Sequence, residues 1–194
     1  MDTKRLTFII MMGALGNSLF LISLALVGYI GQNIALDFSL LAVFIAGIYA
    51  GPKAGFATGL IAGIIPGIML GPAGNGAFIA LLALPLGKGL TGLTIGLLVA
   101  NLKLNNRLHK ALLCIPLVLL AYVPEGLFTY VYLIALLPLF LNSAPMASVI
   151  VNGIMIKAII EVAIMSLIMA FLLSNKAVDN FIGAYFYRPK IKPV

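Results

Sequence analysis

The stretch Ala77–Asn101, AFIALLALPLGKGLTGLTIGLLVAN, holds a single charged residue, Lys88. A helix rises about 1.5 Å per residue, so a run of this length passes the ~30 Å hydrocarbon core of a bilayer with room to tilt. Working outward, further apolar runs at 7–30, 37–51, 54–71, 111–140 and 145–174 bring the number to six. Of the 194 residues 63% are hydrophobic and 9% charged, with mean hydropathy +1.20. A soluble domain carries about 25% charged residues. These observations predict an all-α integral membrane protein. A six-transmembrane-helix bundle over 1–174 is followed by a basic-aromatic tail at 175–194 that suits the cytoplasmic or interfacial side.

The second and third runs are short, and Gly51-Pro52-Lys53-Ala54-Gly55 between them predicts two helices joined by a tight turn. The fifth run carries Pro116, Pro124 and Pro138, which predicts a kink, a tilt or a loop at its outer end. The first run follows Lys4 and Arg5 but is too long for a signal-peptide core, so it is expected to remain as a span. Cys114, the one cysteine, has no partner for an intramolecular disulfide and reads as packing.

Basic residues in short loops mark the cytoplasmic side. Lys4, Arg5, Lys53, Lys103, Arg107, Lys110, Lys176, Arg188, Lys190 and Lys192 all fall on the side of the termini if there are six spans. Both termini are therefore expected in the cytoplasm and the chain in the cell membrane. The net charge of +7 follows from this topology and requires no nucleic-acid partner. Phe181, Tyr185, Phe186 and Tyr187 beside the basic tail residues suit a membrane interface.

Four charges remain inside the predicted helices: Lys88, Glu125, Lys157 and Glu161. A charge at the centre of a membrane helix costs about 2.5–3.5 kcal/mol, so such groups face a bundle interior, a partner or a polar cavity. Lys157 and Glu161 are one turn apart and can pair, leaving Lys88 to pair with Glu125. The alternative is a polar pocket in which some of them meet a ligand. Asn152 lies about 140° round the helix from Lys157, so one pocket would use both only at its edge. At the opposite end from the termini, Gln32, Asn33, Asp37, Asn75, Asn142 and Ser143 ring a mouth, with loop solvation as the plain alternative. Asp37 is also a candidate N-cap for the second helix.

Gly55, Gly59, Gly63 and Gly67 recur every fourth residue and predict a small-residue face packed closely on another helix. Gly13, Ala14, Gly16 and Ser18 form a similar patch in the first run, suited to internal packing or to a different protein.

No catalytic constellation is visible. His109, the one histidine, lies in a basic loop, Asp37 has no aspartate partner in another span, and no cluster has metal-ligand spacing. Gly87-Lys88-Gly89 lacks the upstream spacing of a phosphate-binding loop. No enzyme activity, cofactor or metal is expected of this chain.

The stretch Ala35-Leu36-Asp37-Phe38-Ser39-Leu40-Leu41-Ala42-Val43-Phe44-Ile45-Ala46-Gly47, followed by Gly51-Pro52-Lys53-Ala54-Gly55, resembles the second and third helices of energy-coupling-factor transporter substrate-binding subunits, the S components. The likeness is clearest over 35–71 and extends to the fourth helix and to Asn152 and Lys157 in the sixth. It implies a membrane-embedded subunit that captures a vitamin-like micronutrient at the outer face. Partners implied are a transmembrane T component, which would dock on Ala14 and Ser18, and two cytoplasmic ATPases. By the family's ligand location, Asn75, Lys88, Glu125, Asn152 and Lys157 are the substrate-binding candidates. An autonomous small carrier or channel is the alternative, and a structural subunit of a membrane complex a second.

Overall fold

A computed structural model of the chain describes residues 3–30, 37–74, 77–104, 109–141 and 148–186. Gln32, Asn33, Asn75, Asn142, Ser143, Tyr187 and the basic residues of the tail end lie outside them, as does the side chain of Tyr185.

All regular structure among the described residues is helical. The order is α1 (Thr3–Ile30), α2 (Leu40–Ala50), α3 (Pro52–Ala62), α4 (Ile64–Leu70), a 3-10 turn (Pro72–Gly74), α5 (Ala80–Leu102), α6 (Lys110–Val131), a π-helical turn (Tyr132–Leu136), α7 (Leu137–Leu141), α8 (Ser148–Ser174) and α9 (Lys176–Phe186). Among the described residues, five segments are long and apolar enough to cross a membrane: Thr3–Ala25, Pro52–Leu70, Ala80–Leu102, Lys110–Leu141 and Val149–Ser174.

The second apolar run yields a helix shorter than the run itself. Its helix, α2, has 11 residues and therefore reaches only about 16 Å, half a hydrocarbon core. The fifth run stays helical to Leu141, and its expected irregularity takes the form of the π-helical turn. The third run is broken at Gly63 into α3 and α4.

Local chemistry accounts for these boundaries. Gly51 has φ 89°, a conformation open to glycine, and Pro52 follows at the first position of α3, where its missing N–H is not needed. This is the tight turn predicted from Gly51-Pro52. Lys103 ends α5 in the left-handed conformation, φ 49°.

The glycine stripe packs as its spacing predicts, and its partner is α5. A methyl group on Gly55 would overlap the Gly92 carbonyl, one on Gly59 the Lys88 carbonyl, and one on Gly63 the backbone of Pro85. Gly67 faces Ala80 and Leu81 more loosely, with 3.0 Å from such a methyl to the Ala80 carbonyl oxygen. Backbone lies on backbone along this whole seam, which fixes the depth of Lys88.

The small-residue patch of α1 is divided between two faces. Gly13 and Gly16 pack inward, against Ile61 and against Ala62 and Ser39, whereas Ala14 and Ser18 are exposed. The largest core joins Val43, Phe44 and Ile48 of α2 to Ile95, Val118, Met165 and Met169 at the end of the bundle where α1 begins. Large apolar side chains such as Leu112, Leu127, Leu139, Val149 and Phe171 point outward, as a lipid-facing surface requires. In α9, Ile182 packs on the core while Phe181 is 83% exposed, which leaves an aromatic anchor available to the interface.

Candidate functional site

The short α2 creates the site. Its first turn lies beside Gly16, since a methyl there would sit 3.2 Å from the Ser39 carbonyl oxygen. Gly16 is about 20 Å along α1 from Thr3. The segment Asp37–Ser39 is thus at mid-depth in the bundle, although it belongs to the connection between α1 and α2.

Three other helices bring charges to the same level. Lys88 is about 12 Å into α5, Glu125 about 22 Å into α6, and Glu161 about 20 Å into α8, its midpoint. The structure joins most of them. Lys88 Nζ lies 2.8 Å from Asp37 Oδ2 and also donates to Ser39 Oγ. Asp37 Oδ1 accepts the Ser39 N–H at 2.8 Å, and the Asp37 N–H donates to Glu161 Oε1 at 3.2 Å. The same Glu161 oxygen lies 3.6 Å from Lys157 Nζ. Lys88 is 4% exposed and Glu161 8%, whereas the side chains of Asp37 and Lys157 are 30% and 42% exposed, so the chain of contacts runs from the interior to an accessible edge.

Two expectations need correction. Lys88 pairs with Asp37 and not with Glu125, because Asp37, just ahead of α2, lies at the level of the lysine. Asp37 is also not the N-cap of α2. Ser39 occupies that position, and Asp37 holds it by accepting its N–H. The Lys157–Glu161 pair forms as spaced.

Glu125 is partly buried beside this chain. Its Oε2 accepts the Thr91 hydroxyl, and Gly87 lies beside its Cγ. Among the described residues it has no cation at ion-pair distance. Nearby, Asn17 closes the break between α3 and α4. Its Nδ2 donates to the Ile61 carbonyl at 2.8 Å and its Oδ1 accepts the Ile65 N–H at 3.2 Å.

A groove of about 550 Å³ runs between α6 and α8, lined by Leu119, Tyr122, Val123, Gly126, Leu127, Tyr130, Asn152, Met155, Ile159 and Val162. It is apolar apart from the Asn152 amide and two tyrosine hydroxyls. Tyr122, which lines the groove, also lies within electrostatic range of Glu125, Glu161 and Asp37.

The sequence-derived candidates therefore divide. Lys88, Glu125 and Lys157 belong to the charged layer, and Asn152 faces the groove on another side of α8, as its angular offset from Lys157 predicts. Asn75 lies outside the described residues. Sequence reasoning missed Ser39 and Thr91 as members of the layer, missed Asn17 as its neighbour, and placed Asp37 at the mouth.

Chemically, the layer offers an ammonium group already held by two oxygens, a carboxylate held by one hydroxyl, and a half-exposed lysine. That set suits recognition of a small polar molecule and lacks an activated nucleophile. Among the described residues no group of histidine, cysteine, aspartate and glutamate side chains has the grouping needed to hold a metal ion. No protein-family model matches the chain, and no curated protein or solved structure matches it significantly.

Proposed function

We propose that this chain is the substrate-capture subunit of an energy-coupling-factor-type importer, taking a vitamin-like micronutrient at the outer face of the cell membrane. Both termini are cytoplasmic in this reading, and the chain crosses six times, the half-length α2 being one of the crossings. The observation that carries the proposal is the polar layer at mid-depth, drawn from α5, α6, α8 and the segment before α2. A bundle this small would not keep five ionisable side chains at that depth for packing alone, since ion pairs withdrawn from water rarely repay their desolvation. Glu125, Asn152 and Lys157 retain unused hydrogen-bonding capacity and are the groups assigned to ligand, together with Asn75, which lies outside the described residues. Lys88 would act mainly by holding Asp37.

The exposed Ala14 and Ser18 supply a smooth face for a transmembrane T component, and two ATPases below it would supply the energy. The test is co-expression with a T component and its ATPases. The native chain should co-purify with them and support ATP-dependent uptake, and Ala14→Trp should abolish the association without unfolding the bundle. Uptake by the purified chain alone in vesicles would instead support an autonomous carrier. That second reading is favoured by α2, a half-length helix beginning at mid-depth, a device that secondary transporters use to point backbone N–H groups at a solute.

A further inference from the structure

Among the described residues, the charged layer contains five charged side chains whose formal charges do not cancel. Lys88 and Lys157 face Asp37, Glu125 and Glu161, two positive groups against three negative. The chain has only five acidic side chains in all, so three of them converge on one level of the bundle. A lone uncompensated charge there is strongly disfavoured, and such a group becomes neutral when it can.

The contacts identify which carboxylate is unbalanced. Asp37 takes the Lys88 ammonium at 2.8 Å and the Ser39 N–H. Glu161 takes Lys157 at 3.6 Å and the Asp37 N–H. Among the described residues, Glu125 takes only the Thr91 hydroxyl. A hydroxyl both donates and accepts, so Thr91 fits an ionised or a neutral carboxyl equally well. The groups within range of Glu125 are Lys88 and Thr91 from α5, Asp37 from the segment before α2, and Tyr122 on its own helix. Lys88 is already engaged by Asp37, and Lys157 by Glu161.

We propose that Glu125 is a proton-binding site, holding one proton at neutral pH and completing the charge balance of the layer. The inference rests on the charge count and the contacts, and holds whether or not the chain captures a micronutrient. It also sets what a ligand beside Glu125 meets: a carboxylic acid that donates and accepts, suited to a neutral amide or ring imide edge more than to a bare cation.

Infrared spectroscopy of the purified full chain in deuterated detergent buffer tests this through the C=O band of a protonated carboxyl group. At neutral pH the native chain should show one such band per molecule. Glu125→Gln should lose it, and Thr91→Val should shift it upward in frequency as its hydrogen bond is lost. Lys157→Met offers a check that leaves Glu125 intact: removing one cation should add a second protonated carboxyl. A native chain without the band, a band surviving at full intensity in Glu125→Gln, or a Lys157→Met chain that gains none would each overturn the assignment.

Discussion

Replacing Asp37 by Asn removes one charge from the layer and little volume, and its consequence follows from the contacts. Lys88, 4% exposed, would keep the Ser39 hydroxyl and a neutral amide but lose its counter-charge. Breaking a buried pair from one side costs about 3–5 kcal/mol, and a lone charge at the centre of a membrane helix about 2.5–3.5 kcal/mol. The Asp37 side chain retains 30% exposure, which places the expected loss at the lower end, about 3 kcal/mol. Adding Lys88→Met removes the orphaned ammonium and should restore about 2 kcal/mol, as coupled neighbours do. The assay is reversible unfolding in mixed micelles followed by circular dichroism, run as a double-mutant cycle over the four proteins. A single variant that loses under about 1 kcal/mol, with additive behaviour in the double, would refute the pairing and with it the mid-depth position of Asp37.

Other outcomes follow from the same packing. Gly92→Ala places a methyl on the Gly55 carbonyl and should cost about 1–3 kcal/mol or more in the same unfolding assay, whereas Gly153→Ala, with open space around it, should be neutral or slightly stabilising. Thr58 buries a hydroxyl without a partner among the described residues, so Thr58→Val should raise the midpoint by an amount equivalent to about 1 kcal/mol; a fall of that size would show that the hydroxyl is satisfied. Phe181→Trp should give blue-shifted fluorescence quenched by brominated lipid in bilayer nanodiscs, and emission at the position of free tryptophan would place α9 in water.

Much of the architecture was legible because lipid imposes a simple code. Long apolar runs became helices, Gly51-Pro52 became the turn, and the every-fourth glycines of the third run became the seam with α5. Each of these depends on local spacing or on one kind of neighbour. The pairing of Lys88 was not legible, because its partner lies 51 residues away in a segment that composition assigns to a loop. Nothing local distinguishes an aspartate solvated at a mouth from one folded into a bundle. The length of α2 was hidden for the same reason: Leu36-Asp37-Phe38-Ser39 continues an apolar run by hydropathy, while the Asp37 carboxylate, by taking the Ser39 N–H, starts the helix three residues later. The α6–α8 groove depends on how two helices splay, a property of packing that Asn152 alone does not announce. Asn17 carried a weak signal, an amide inside an apolar run, whose use became visible only with the break at Gly63.

The central claim is that the chain captures a small molecule, and mass spectrometry of solutes co-purifying with the detergent-solubilised protein tests it most directly. The comparison is between the native chain and Asn152→Ala, a change at an exposed groove position that leaves the charged layer intact. The account predicts a vitamin-sized compound retained by the native chain and depleted at least about tenfold from the variant, a loss of about 1.4 kcal/mol in binding. A native chain that carries no such compound, and whose melting temperature no micronutrient raises, would contradict it and assign the buried charges to helix packing.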